Sequence, residues 1–96
     1  MTTKDIELTI LTPQRSIFAG RVASLVVPAH DGYLGIMTGH APFICLLQKG
    51  QITARAENQS YRFSTSGGLL EVLANKITIL ADNAEPVAAP SSPANR

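Results

Sequence analysis

The sequence predicts an all-β protein, an antiparallel sandwich or barrel of short strands. Three observations carry that expectation. Apolar residues recur with a period of two along most of the chain. Turn-forming residues return about every 8–12 positions. No long segment keeps the 3.6-residue apolar period of an amphipathic helix.

Each element follows in order. Ile6, Leu8 and Ile10 alternate with Glu7 and Thr9, which reads as a half-buried strand. Pro13 lacks a backbone donor and ends or kinks it. Ile17 and Phe18 come next, with Gly20 expected as a turn or bulge. Residues 22–27 read as a second strand that stops at Pro28. Residues 29–32 are turn chemistry, since Asp-Gly tolerates positive φ and closes hairpins. Residues 33–37 form a short apolar run broken by Gly35, and residues 38–42 an irregular loop. Residues 43–47 are a continuous apolar strand closed by Lys49-Gly50. Residues 52–55 alternate, then Glu57-Asn58-Gln59 turns. Tyr61 and Phe63 alternate with Arg62 and Ser64. Gly67-Gly68 breaks the pattern before two more strands, 69–73 and 77–80, joined across Ala74-Asn75-Lys76. Continuous apolar runs suit strands buried between two sheets, and alternating ones suit strands with one wet face.

Residues 1–83 are read as one domain and residues 84–96 as a flexible tail. The tail is rich in proline and alanine and poor in large apolar side chains, a composition of disorder. A chain of 96 residues fits a single folding unit. With 45% hydrophobic and 16% charged residues, wholesale disorder is excluded. The net charge of +1 leaves no basic footprint for nucleic acid and no polybasic stretch for anionic lipid. One cysteine excludes an internal disulfide and a cysteine-based metal site. Residues 1–5 fit neither a secretory signal nor a transit peptide, and the longest apolar run is far below the roughly 20 residues of a membrane span. The expectation is a soluble intracellular protein.

Candidate chemistry is thin. His40 and Cys45, five residues apart, are the pair to test for nucleophilic catalysis, but a thiol needs an activating environment. The alternative is a small core cysteine and a loop-bracing histidine. His30, Asp31 and His40 match no closed metal-ligand spacing. Ser66-Gly67-Gly68 is neither a nucleophile elbow nor a phosphate loop, and reads as a bulge or tight strand entry. The seven acidic residues are scattered. No catalytic, cofactor or metal residues are expected, which leaves a small β-sandwich with a binding or structural role.

Six stretches, taken in order, say more. They are residues 11–15 (LTPQR), 18–20 (FAG), 32–36 (GYLGI), 39–42 (GHAP), 66–72 (SGGLLEV) and 77–82 (ITILAD). Together they resemble the N-terminal β-sandwich of the epsilon subunit of F-type ATP synthases, over roughly residues 5–85. The resemblance implies a ten-stranded, two-sheet sandwich. It implies a non-catalytic rotor part that binds the gamma subunit and the membrane c ring, coupling ion flow to ATP synthesis. Membrane association is then indirect, at the cytoplasmic face of a bacterial inner membrane.

Carried over residue by residue, the resemblance implies a c-ring contact at Asp31, Gly32, Tyr33 and Leu34. It implies a gamma contact at Thr12, Gly39, His40, Ala41, Pro42 and Cys45. Tyr33 stands where the family often has an acidic residue, so packing and a donated hydrogen bond are expected there, with Asp31 supplying the charge. Thr38 replaces a common proline. The chain also shows no pattern for the family's C-terminal helical hairpin or its nucleotide motif. Coupling without hairpin-type inhibition is the expectation. Two other readings stay open: a stand-alone module binding peptide or carbohydrate, and a cysteine hydrolase using His40 and Cys45.

Overall fold

Ten strands form, and the period-two segments of the sequence account for nearly all of them. The computed structural model describes residues 5–39 and 41–87. The strands are β1 (Ile6–Leu11), β2 (Ser16–Val22), β3 (Ser24–Ala29), β4 (Gly32–Met37) and β5 (Phe43–Leu47). They continue with β6 (Gly50–Arg55), β7 (Ser60–Thr65), β8 (Gly68–Leu73), β9 (Lys76–Ala81) and β10 (Ala84–Pro86).

Pairing runs β10-β7-β6-β3-β5-β8-β9-β1-β2, with β4 on the other side of β3. β3 holds the two layers together. Its first half pairs with β6 and its last residue, Ala29, pairs with Leu47 of β5. One layer is therefore β4-β3-β6-β7-β10 and the other β5-β8-β9-β1-β2. All ladders are antiparallel except β1 with β9. Away from β3, rings join the two layers: Phe18 of β2 lies 4.9 Å from Tyr61 and 5.7 Å from Phe63 of β7, centroid to centroid.

The inward residues make one core. Leu8, Ile10, Leu25, Ile52, Leu70 and Ile79 are fully buried, each contributing about 1.5–3 kcal/mol by leaving water. Cross-strand rows show the order: Cys45, Leu70, Ile79 and Ile10 sit side by side across four strands of one inner face.

Three boundaries differ from expectation, each for a local reason. Residues 22–27 are not one strand. Chain pairing breaks at Ala23, and β2 runs straight through Gly20, whose bare face lies under the Phe18 ring. β3 does not stop at Pro28 but includes it. The Pro28 carbonyl accepts from the Gln48 N–H at 2.8 Å, and β6 no longer runs alongside to require a donor in return. The sandwich extends past residue 83. Ala84–Pro86 pairs with Thr65, Ser64 and Phe63, and the Val87 N–H donates to the Arg62 carbonyl at 2.9 Å. Residues 88–96 of the expected tail lie outside the described residues.

Two turns match their chemistry. Gly67 and Gly68 both have positive φ (141° and 156°), and a Cβ on Gly68 would come within 2.8 Å of Ala81 Cα, so the tight strand entry needs glycine. The β3–β4 hairpin closes across His30 and Asp31, with Gly32 at φ 130°.

Candidate interaction surfaces

The strands carry the expected contact residues to two ends of the sandwich. The lower end holds the hairpin tip at His30 and Asp31, Lys49, Ser66 and Gly67, Asp82, and the 12–15 turn. The upper end holds Thr38, Gly39, Ala41 and Pro42, the 56–59 turn, and Ala74 with Asn75.

Asp31, Gly32, Tyr33 and Leu34 come together at the lower end. Asp31 is exposed at the tip and Leu34 packs half-buried against the core. The tip is clamped to β5. The His30 N–H donates to the Leu46 carbonyl at 3.2 Å, and Gln48 Nε2 donates to the Ala29 carbonyl at 2.8 Å. Tyr33 leans back across Pro28, its cross-strand partner, to β6. Its hydroxyl accepts from the Gln51 N–H at 3.2 Å. Position 50 must be small for this: a Cβ there would sit 2.7 Å from both Pro28 Cβ and the Tyr33 hydroxyl. The ring explains why Pro28 is buried on an outward-facing row.

The described residues expected to contact gamma do not form one cluster. Thr12 lies at the lower end, and Gly39, Ala41 and Pro42 lie at the upper end. Thr12 staples its own turn, donating through Oγ1 to the Arg15 carbonyl at 3.2 Å and accepting from the Arg15 N–H at 3.3 Å. Gly39 pins the loop, its N–H donating to Asn75 Oδ1 at 3.2 Å. Ala41 and Pro42 are exposed, and His40 lies outside the described residues. Cys45 points inward, half-buried. It lines an open recess of about 310 Å³ with residues 29–34, so its thiol belongs with the hairpin and not with the loop. Burial pushes the thiol pKa up, which keeps it protonated and unlike an activated nucleophile. Among the described residues no three His, Cys, Asp or Glu side chains gather as a metal site.

What joins Thr12 to the 39–42 loop is a surface between them, on the outward face of β5-β8-β9-β1. Its lowest row is leucine on all four strands: Leu46, Leu69, Leu80 and Leu11, each the cross-strand partner of the next. Ile44 stands above Leu46. Leu46 is 63% exposed and Leu80 49%. The next rows turn polar through Glu71, Thr78 and Thr9, then Lys76, Glu7 and Arg21 beside the exposed Leu73. The opposite outward face, on β6 and β7, instead carries Thr53, Arg55, Ser60, Arg62 and Ser64. The motif-based reading missed the leucine row. Its signal was present in residues 43–47, 69–70 and 79–80, where apolar residues occupy both phases of the alternation and one phase must face out.

Comparison with known proteins gives this geometry a context. The family profile described as "ATP synthase, Delta/Epsilon chain, beta-sandwich domain" matches residues 5–87. The ATP synthase epsilon chain of Pelotomaculum thermopropionicum is 40% identical over 85 residues, 88% of this chain and 63% of the relative. That of Moorella thermoacetica is 42% identical over 82 residues, 84% of this chain and 61% of the relative. The chain thus spans about three-fifths of the length of these curated relatives. Two solved structures share the fold. A chain in the Euglena gracilis mitochondrial ATP synthase assembly of OSCP, F1 and c ring aligns with TM-score 0.82 at 23% identity, covering 88% of this chain and 54% of that one. A chain in the Tetrahymena thermophila mitochondrial ATP synthase central stalk and c ring aligns at 0.71 and 19% identity, covering 88% and 69%.

Proposed function

The chain belongs to the ATP synthase delta/epsilon β-sandwich family, and from that premise we propose that it is a non-catalytic part of the central stalk, gripping the gamma subunit with one face and the c ring with one end. The leucine row carries the reading. Four leucines aligned across four strands, with Leu46 63% and Leu80 49% exposed, form a surface that folding leaves partly uncovered. Stable interfaces have such an apolar core with a polar rim, and the rows of Glu71, Lys76, Glu7 and Arg21 supply the rim. Gamma docks on this face, bounded by Ala41 and Pro42 above and the Thr12 turn below. On β5 the contact passes to Ile44 and Leu46, because alternation turns Cys45 to the core.

The hairpin tip meets the c ring. Asp31 offers a charge at the end of the sandwich, and the Gln48 and Gln51 bonds hold the tip and Tyr33 in fixed positions. Rigidity is the mechanism. A joint that transmits torque must not yield, and a sandwich with interdigitated inner faces deforms little. Ion flow turns the ring, the tip carries the rotation, and the apolar face passes it to gamma. No bond chemistry is assigned to this chain. Among the described residues no helix is long and apolar enough to cross a membrane, and the proposed attachment is peripheral, at the cytoplasmic face of a bacterial inner membrane.

Site-specific photo-crosslinking in the assembled complex tests both contacts. A photoreactive side chain at Leu46 is expected to capture gamma, and one at Asp31 the c subunit. One at Arg62, on the opposite face, captures neither. Capture of gamma from Arg62 and not from Leu46 would overturn the assignment of faces.

A further inference from the structure

Among the described residues three strands have an outer edge without a neighbour: β2, β4 and β10. A bare edge pairs with any extended chain, so sheets usually blunt it with charge, proline, a bulge or short length. β2 carries Arg21, follows Arg15, and shifts register against β1 at Ile10 and Leu11. β10 is three residues long and ends on Pro86. β4 has none of these devices. It is six residues, GYLGIM, with no charge and no proline, and its ladder to β3 is unbroken from Ser24–Met37 to Ala29–Gly32.

The direction of its free groups follows from β3. The Pro28 carbonyl and the His30 N–H are bonded to β5. Alternation then turns Ala29, Val27 and Leu25 toward β4, where they exchange bonds with Gly32, Leu34 and Ile36. The N–H and C=O of Tyr33, Gly35 and Met37 point out along the open edge. Little obstructs them. A Cβ at Gly35 would meet nothing within 4 Å, and the Tyr33 ring is folded back over Pro28.

We propose that this edge pairs with a second copy of itself, antiparallel, about a two-fold axis through Gly35. The strand is self-complementary in that register. Gly35 faces Gly35, and Tyr33 faces Met37 of the second copy, so all three outward-pointing residues exchange bonds. Tyr33 and Met37 are 62% and 67% exposed. Leu34 falls opposite Ile36 on the core side. The contact is isologous, as a two-fold pair requires. An edge of six residues buries well under the roughly 1,200 Å² of a stable interface, so the pair is weak and reversible. Tyr33 and Leu34 also belong to the proposed c-ring contact. On that reading, which this consequence alone rests on, self-pairing and docking exclude each other, and the bare edge is covered until assembly.

The test is amide hydrogen exchange by NMR on the purified 96-residue chain, from about 20 μM to about 1 mM, the range a contact this small occupies. Exchange at Tyr33, Gly35 and Met37 is expected to slow with concentration, about tenfold when nine-tenths of the chain is paired. Leu34 and Ile36 stay protected throughout. Sedimentation should show the mass doubling over the same range. Gly35→Pro removes an N–H that points to the open edge and not to β3, and Gly35→Lys places two charges on the axis. Both are expected to stay monomeric at 1 mM with unchanged melting. Exchange that ignores concentration, a dimer whose new protection lies on the leucine face or β2, or pairing that survives both substitutions would overturn the proposal. None of these outcomes bears on gamma binding, so failure here leaves the stalk reading standing.

Discussion

Replacing Leu46 by serine separates what the leucine row does for folding from what it does for docking. Full burial of a leucine contributes about 1.5–3 kcal/mol. Leu46 remains 63% exposed in the isolated chain, so folding draws on only the covered third, about 0.5–1 kcal/mol. The remaining surface is worth about 1–2 kcal/mol to a partner that covers it. The expected result is a gamma affinity weakened about 5- to 25-fold, with a melting temperature lower by only about 2–8 °C. The cross-strand neighbourhood supplies the control. Leu70, one residue from Leu46's partner Leu69 but turned to the core, is fully buried. Leu70→Ala should cost about 2–5 kcal/mol of stability. The assay is calorimetric titration of purified gamma, with thermal melts of each variant. An L46S chain that melts near the wild type and binds gamma with unchanged affinity would refute the reasoning.

Other perturbations follow from the same contacts. Gly50→Ala pushes a methyl group into Pro28 and the Tyr33 hydroxyl, and is expected to cost about 1–3 kcal/mol. The NMR signature is loss of the Gln51–Tyr33 bond; an unshifted Gln51 amide would contradict it. Gly68→Ala forces a side chain onto the β9 backbone at a positive φ, and is expected to cost at least about 3 kcal/mol in a denaturant melt. For Cys45 the native pKa lies above the unfolded one because burial disfavours the thiolate. The native state therefore holds the proton more tightly. Its contribution to stability is full below the ordinary thiol pKa and is lost as pH rises through the native one. Alkylation at neutral pH should be slower than for a free thiol, and Cys45→Ser should flatten the alkaline fall in stability. A fast-reacting thiol at pH 7 would contradict this.

The legible part of the fold was the part set by alternation. Leu8, Ile10, Ile52 and Phe63 were placed in strands by period two, and the glycine turns at 32 and 67–68 were set by φ. Pro28 and Gly20 misled because each local preference was overridden by a neighbour: the Gln48 bond used the proline's carbonyl, and the Phe18 ring lay over the glycine. The parallel pairing of β1 with β9 carries no local signal, since it joins segments about 70 residues apart. The hairpin tip was readable because its residues are contiguous. The face proposed to bind gamma was not. Thr12 and the 39–42 loop came from motifs at its two margins, while the leucines between them come from four strands and meet only through sheet register.

The central claim is that this chain works as a permanent part of the stalk. Isolating the ATPase-active complex from membranes of the source organism in mild detergent, and counting this chain against gamma by quantitative mass spectrometry, tests it most directly. The account predicts one copy per gamma, retained through washing at high salt because the contact is apolar. An active complex that lacks the chain, with the chain found free in the soluble fraction, would contradict it.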